Sequence, residues 1–189
     1  ETGRRMSRVL ALALLLPGIW ACDDDPFKIR WAANPDTVLL YSLARPELNL
    51  NSGFDFVSRR AVRIEAPSAV GKWDLAVDTQ NGQVVFVPPG AIGVTGSRAR
   101  IAPMGGMSFE EIRRAPRDTA LYIGDRVVPV VPGELYVIRT RQQIGSWGAR
   151  CVYYGKLLPL EADADNGTLT FVYDVSPVCN DRKLIPTQK

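Results

Sequence analysis

The sequence predicts an all-β domain, an antiparallel β-sandwich or partly open barrel with one short helix, carried behind an export signal and an acidic tether. Three observations predict it. Short runs rich in β-branched and aromatic residues recur about every ten residues, glycines and prolines separate them, and tight-hairpin dipeptides join neighbours. The chain has 189 residues, 46% hydrophobic and 23% charged with a net charge of +3, which suits one folded domain rather than a disordered polyelectrolyte.

The first element is a targeting signal. Arg4, Arg5 and Arg8 precede the apolar run 9–16, and Ile19-Trp20-Ala21-Cys22 follows. Eight apolar residues fall far below the ~20 needed to cross a bilayer, so the run reads as a signal peptide over 1–21 and not as a membrane span. A small residue directly before a cysteine resembles the bacterial lipoprotein processing site, which implies that Cys22 receives lipid and becomes the first mature residue. The alternative, an ordinary secretory signal with a chance cysteine, leaves an exposed unpaired thiol in an oxidising compartment. Met6 is the expected translational start, with 1–5 as upstream read-through. Asp23, Asp24 and Asp25 open the tether, expected over 22–36. Acidic residues at this place resemble lipoprotein sorting signals, and the expected location is the cell envelope, at the outer membrane or cell surface ahead of the inner membrane. Processing leaves 20 basic and 19 acidic residues, so no basic face for nucleic acid is indicated.

The all-β domain is expected over 37–179, with strands at 37–43, 61–66, 73–79, 83–87, 98–101, 121–123, 134–140, 152–160 and 168–175, and a tail over 180–189. Asn81-Gly82 predicts a tight hairpin, Asp165-Asn166-Gly167 a second, and Pro132-Gly133 a turn. Ser108 with Glu111 three residues on is a capping box and Pro116 is a stop signal, which together predict a helix of about two turns. Alternation along 135–140 and 168–173 puts Tyr136, Phe171 and Tyr173 on one face, so they are core residues before they are ligand contacts, as is Trp73.

With Cys22 lipidated, Cys151 and Cys179 remain, and an even pair in an oxidising compartment reads as a disulfide. The midpoint of 151 and 179 is 165, inside the second hairpin turn, so two strands folding back there bring the cysteines together within a register slip of one to three residues. The loop closed this way contributes roughly 3 to 4 kcal/mol on the chain-entropy estimate. The alternative is a pair of buried free thiols.

Trp73-Asp74-Leu75-Ala76, Tyr136-Val137-Ile138-Arg139-Thr140, Tyr154-Gly155-Lys156-Leu157 and Gly167-Thr168-Leu169-Thr170-Phe171-Val172-Tyr173 occur in an order that resembles the HmuY-like envelope lipoproteins. The resemblance spans about 73–173 and implies an all-β, lipid-anchored domain with a haem-type cleft. The family's best-known members hold iron through two histidines, and this chain has none. Methionine serves in some relatives, which directs attention to Met104 and Met107. Three residues reach only about 10 Å, too little to place both sulfurs on opposite faces of one porphyrin. One of them, partnered by Tyr122, is the ligand set this resemblance leaves. The competing reading of Met104-Gly105-Gly106-Met107 is a loop with one methionine packed down as filler.

The absence of histidine removes Ser-His-Asp triads, Cys-His dyads and histidine metal sites. Glu161, Asp163 and Asp165 alternate like calcium ligands, but the glycine comes one place late for an EF-hand and Val172 stands where its glutamate belongs, so a solvated hairpin tip is expected. Glu110 and Glu111 are neighbours and diverge on a helix, and Ser146 lacks both elbow spacing and a base. No enzyme is expected on these grounds. The leading functional expectation is a non-catalytic envelope lipoprotein, without a cofactor, whose sandwich binds a ligand or protein partner through the loops 103–116 and 142–150 and whose membrane contact is the lipid on Cys22. The alternatives are haem capture without histidine and a carboxylate-dependent glycan-acting enzyme.

Overall fold

The computed structural model describes residue 29 and residues 31–186, so the signal peptide, Cys22 and the first part of the tether lie outside the described residues. The chain forms β1 (Asp36–Tyr41), β2 (Gly53–Asp55), β3 (Arg60–Val62), β4 (Leu75–Gln80), β5 (Gln83–Val87) and β6 (Arg100–Pro103). These are followed by β7 (Val128–Pro129), β8 (Tyr136–Arg139), β9 (Gln143–Ile144), β10 (Arg150–Cys151), β11 (Tyr154–Asp163) and β12 (Thr168–Val175). All ladders are antiparallel. One five-stranded sheet runs β1-β12-β11-β8-β6, a second runs β3-β2-β4-β5-β7, and β9 and β10 form a separate ribbon. The fold is a β-sandwich.

Alternation decides which side chains lie between the sheets. Leu169, Phe171, Tyr173 and Val175 of β12, Leu157 of β11, and Tyr136 and Ile138 of β8 face Phe54 of β2, Leu75 and Val77 of β4, and Val84 and Phe86 of β5. Phe54 sits edge-on to Phe56, Phe171 and Tyr173, with ring centroids 4.8, 5.8 and 4.7 Å apart, an arrangement that adds quadrupolar attraction to the burial. Tyr136 reaches across the core. Its hydroxyl donates to Pro129 O at 2.9 Å and accepts from Val131 N at 3.1 Å, which fastens β8 to the segment after β7.

Both hairpins form as expected. Asn81 and Gly82 have φ of 51° and 75° and link Gln80 to its partner Gln83, the mirror-image turn that matches strand twist. At the other, Asp163 Oδ1 accepts from Asp165 N and Asn166 N, each at 2.9 Å, so its carboxylate organises the turn. Hydrogen bonds from Asn166 hold that carboxyl below its ordinary range. Glu134 N donates to Val131 O at 3.1 Å across the Pro132-Gly133 turn.

Two expectations require correction. The capping box is made, since Ser108 N donates to Glu111 Oε2 at 3.0 Å and Glu111 N to Ser108 Oγ at 3.3 Å, yet it opens a single turn and no helix. Tertiary pairing is the reason. Leu184 N bonds Arg113 O and Ala115 N bonds Arg182 O, so the backbone after Glu111 is drawn out to pair with the C-terminal segment. Within that segment Leu184 is buried with Ile112, Ala115, Tyr122, Leu135 and Val137. The run 121–123 is likewise no full strand, because Thr119–Leu121 is a 3-10 turn and only Ile123 pairs, with Ile101.

Loop 104–122 and Leu184 thus cover the outer face of the first sheet, whose β6, β8 and β11 residues would otherwise expose Ala102, Val137 and Leu158. The outer face of the second sheet is covered by Trp73, packed with Ala76, Val85 and Val87.

Candidate functional site

The described residues draw attention to one end of the sandwich. β1 begins there, with Asp36 opposite Tyr173; β12 ends there; β11 starts there; and β8 finishes there, with Arg139 opposite Tyr154. Between β8 and β11 the chain makes the β9–β10 ribbon, in which Ile144 pairs with Arg150 and Gln143 with Cys151.

The ribbon is fastened by the Cys151–Cys179 disulfide, with Cα atoms 5.0 Å apart. The strand register explains how the cysteines meet. Near the turn Asp163 faces Thr168, which continued unchanged would set 151 opposite 180. A bulge between Pro159 and Glu161 takes up one residue, so Gly155 faces Val175 and the same count carries 151 to 179. Asn180 reinforces the junction: its Oδ1 accepts from Val152 N at 3.0 Å, its Nδ2 donates to Arg150 O at 3.0 Å, and its N bonds Val152 O at 2.9 Å. Gly145 is required beside the bond, because a Cβ there would run into Cys151 Sγ.

At the tip of the ribbon Trp147 is fully exposed and its φ of 60° lies in the left-handed region. A bulky side chain is disfavoured there by about 1 to 3 kcal/mol, so the surrounding ribbon and disulfide must hold it. Ile144 is also 74% exposed. The indole contributes no burial to the fold and stands on a covalently stapled hairpin.

Beneath the ribbon lies a buried ionic clamp. Arg141 Nη1 and Nη2 meet Asp55 Oδ1 and Oδ2 at 2.8 and 3.0 Å, and Nη1 also meets Asp74 Oδ2 at 3.0 Å. Asp74 further accepts from Arg141 N at 2.7 Å and Phe56 N at 2.9 Å. The clamp ties the end of β8 in one sheet to β2 and the start of β4 in the other. Burial pushes the Asp74 carboxyl up to about 6 despite the guanidinium beside it. For Asp55, burial pushes upward too, but hydrogen bonds from Arg141 and Ser58 outweigh it and hold the carboxyl below its ordinary range.

Next to the clamp, a cavity of about 280 Å³ opens between Trp31, Phe56, Val57, Tyr153 and Pro177. Arg59 lies across its rim, with its guanidinium carbon 4.9 Å from the Tyr173 ring centroid and Nη1 3.4 Å from Asp174 Oδ1, and it donates to Asn34 O. Asn34 N donates to Asp174 Oδ2 at 3.3 Å. These bonds fix where the chain enters the domain.

The residues singled out in the sequence sit elsewhere, apart from the cysteines and 142–150. Met104 packs half-buried against the outer face of the first sheet, Met107 is 38% exposed, and Met107 N donates to Met104 O at 3.2 Å in a tight turn. Tyr122 is buried, its hydroxyl donating to Pro116 O at 3.2 Å and its ring edge-on to Tyr154. Burial pushes that phenol above its ordinary range. Met104, Phe109, Ile112 and Ala115 of loop 103–116 pack against the sheet. Cys22 lies outside the described residues.

Sequence reasoning missed the clamp, since nothing in spacing connects Asp55, Asp74 and Arg141. No family model, no curated protein and no solved structure matches this chain.

Proposed function

We propose that this chain is a non-catalytic lipoprotein of the bacterial cell envelope, anchored through lipid on Cys22, whose sandwich is a binding module with its contact surface at the disulfide-bearing end. The observation that carries this reading is Trp147, fully exposed in left-handed backbone on a ribbon stapled by Cys151–Cys179. The bond calls for an oxidising compartment, which agrees with an export signal. The clamp and the bulge hold the ribbon on a rigid scaffold, which is where contact loops work best.

Photo-crosslinking in the cell tests it. A photoreactive amino acid in place of Trp147 is expected to give adducts that the same group at Asn81, at the opposite end, does not give. Equal labelling at both positions overturns the assignment. Cys22→Ala is expected to move the protein from the membrane fraction to the soluble envelope fraction, and unchanged fractionation removes the anchor.

A further inference from the structure

The chain enters the domain at the same end that carries Trp147. β1 starts opposite Tyr173, Trp31 lines the cavity there, and Arg59 holds Asn34 beside Asp174. Only eight residues lie between Cys22 and Trp31, and the nine steps of chain fully extended reach about 30 Å. A lipid on Cys22 therefore keeps this end within that distance of the bilayer, and the Asn166 turn lies at the other end of the eight-residue β12.

The surface so presented has the chemistry of a membrane interface. Trp147 and Ile144 project from a ribbon that has no acidic residue between Gln142 and Arg150. Tryptophan prefers the headgroup layer, where its ring is shielded and its N–H stays wet. Arg60, Lys72 and Arg150, at the start of β3, before Asp74 and on the ribbon, are exposed and enter no ion pair among the described residues. Of the carboxylates of this end, Asp55 and Asp74 are engaged by Arg141 and Asp174 by Arg59 and Asn34, while Asp36 and Asp181 accept only from the backbone of Thr37 and Lys183. Asp23, Asp24 and Asp25 beside the anchor offset the cations, so the apolar pair sets the contact and anionic lipid only strengthens it.

We infer that the partner of this end is the bilayer that carries the Cys22 anchor, with Trp147 and Ile144 seated among the lipid headgroups. The inference rests on the anchor proposed above and names what the contact surface meets. One indole and one isoleucine give marginal binding alone, and the tether supplies the local concentration that makes it persistent.

The test supplies the tether chemically, so that it can fail separately from natural acylation. The oxidised chain from Cys22 onward is coupled through that thiol to a maleimide lipid in phosphatidylcholine vesicles containing brominated lipid. Trp31→Phe leaves the buried Trp73 and the exposed Trp147 as emitters. Trp147 emission is expected to shift to the blue and to be quenched at least twofold, and both effects should vanish in Trp147→Phe. Water-like, unquenched emission from a chain shown by mass to be coupled overturns the inference, and so does quenching that persists in Trp147→Phe. Protection of Trp147 only when a soluble envelope protein is added also overturns it, in favour of a protein partner. Absence of lipid on Cys22 in cells removes the anchor while this vesicle result stands by itself.

Discussion

Opening the Cys151–Cys179 bond has a magnitude that derives from the chain. The cysteines are 28 positions apart, so the bond removes from the unfolded ensemble the freedom of a loop of that length, about 3 to 4 kcal/mol at 25 °C on the loop-entropy estimate. For a domain of this size each kcal/mol moves the midpoint by roughly 2 to 4 °C, so Cys151→Ser/Cys179→Ser should unfold roughly 6 to 16 °C lower. The loss is global in unfolding but local in the native state. The Asn180 bonds to Arg150 and Val152 survive the substitution, so β11 and β12 stay paired while the ribbon loosens. Scanning calorimetry reads the first effect, and hydrogen exchange at Gly145 N, bonded to Ala149 O at 2.8 Å, reads the second. A midpoint shift below about 2 °C would refute the loop argument. Unchanged exchange at Gly145 would refute the claim that the bond holds Trp147 in place.

Further expectations concern the clamp and the sheet. Arg141→Met leaves two buried carboxylates unpaired and should cost about 3 to 5 kcal/mol at neutral pH, read by urea denaturation, with less than 1 kcal/mol arguing that the pair is solvated. Asp74 sits near 6 in the folded chain against an ordinary value of 3.8. Between those values the native state keeps a proton that the unfolded chain has released, so this group's contribution declines as pH rises through the window. Asp74→Asn cannot titrate, so stability relative to the parent should improve by on the order of 3 kcal/mol from pH 3.5 to 7, and a flat difference would mean that Arg141 keeps Asp74 ionised throughout. Asp55, held low, acts in the opposite sense and loses its contribution only at more acid pH. A Cβ on Gly155 would lie 2.8 Å from Asp174 O and 3.0 Å from Ile138 and Val175, so Gly155→Ala should cost about 1 to 3 kcal/mol, and a neutral result would show that β11 can yield there.

Local signals gave the strands that strong patterns mark. Alternation placed Tyr136, Phe171 and Tyr173 in the core, and turn chemistry placed both hairpins, because each is settled within a few residues. The disulfide was legible from symmetry about position 165, though the bulge that makes the register fit was not. β2 went unseen: its three residues carry a glycine and an aspartate, and Phe54 with Phe56 was its only periodic trace. The missing helix shows local preference losing to tertiary pairing, since the capping box formed and the segment after it still extended to meet residues 182–184. Of the site, loop 142–150 was marked as a contact surface, yet full exposure of Trp147 is a property of packing and not of sequence. The Arg141 clamp joins positions 67 and 86 apart, beyond the reach of any spacing rule.

The most direct test is the intact mass, without reductant, of the protein recovered from the membranes of the cell that makes it. The expected species is a chain that begins at Cys22, carries acyl mass at that residue, and is two hydrogens lighter than the reduced form. A soluble chain that retains residues 1–21, with Cys151 and Cys179 both open to alkylation, would contradict it.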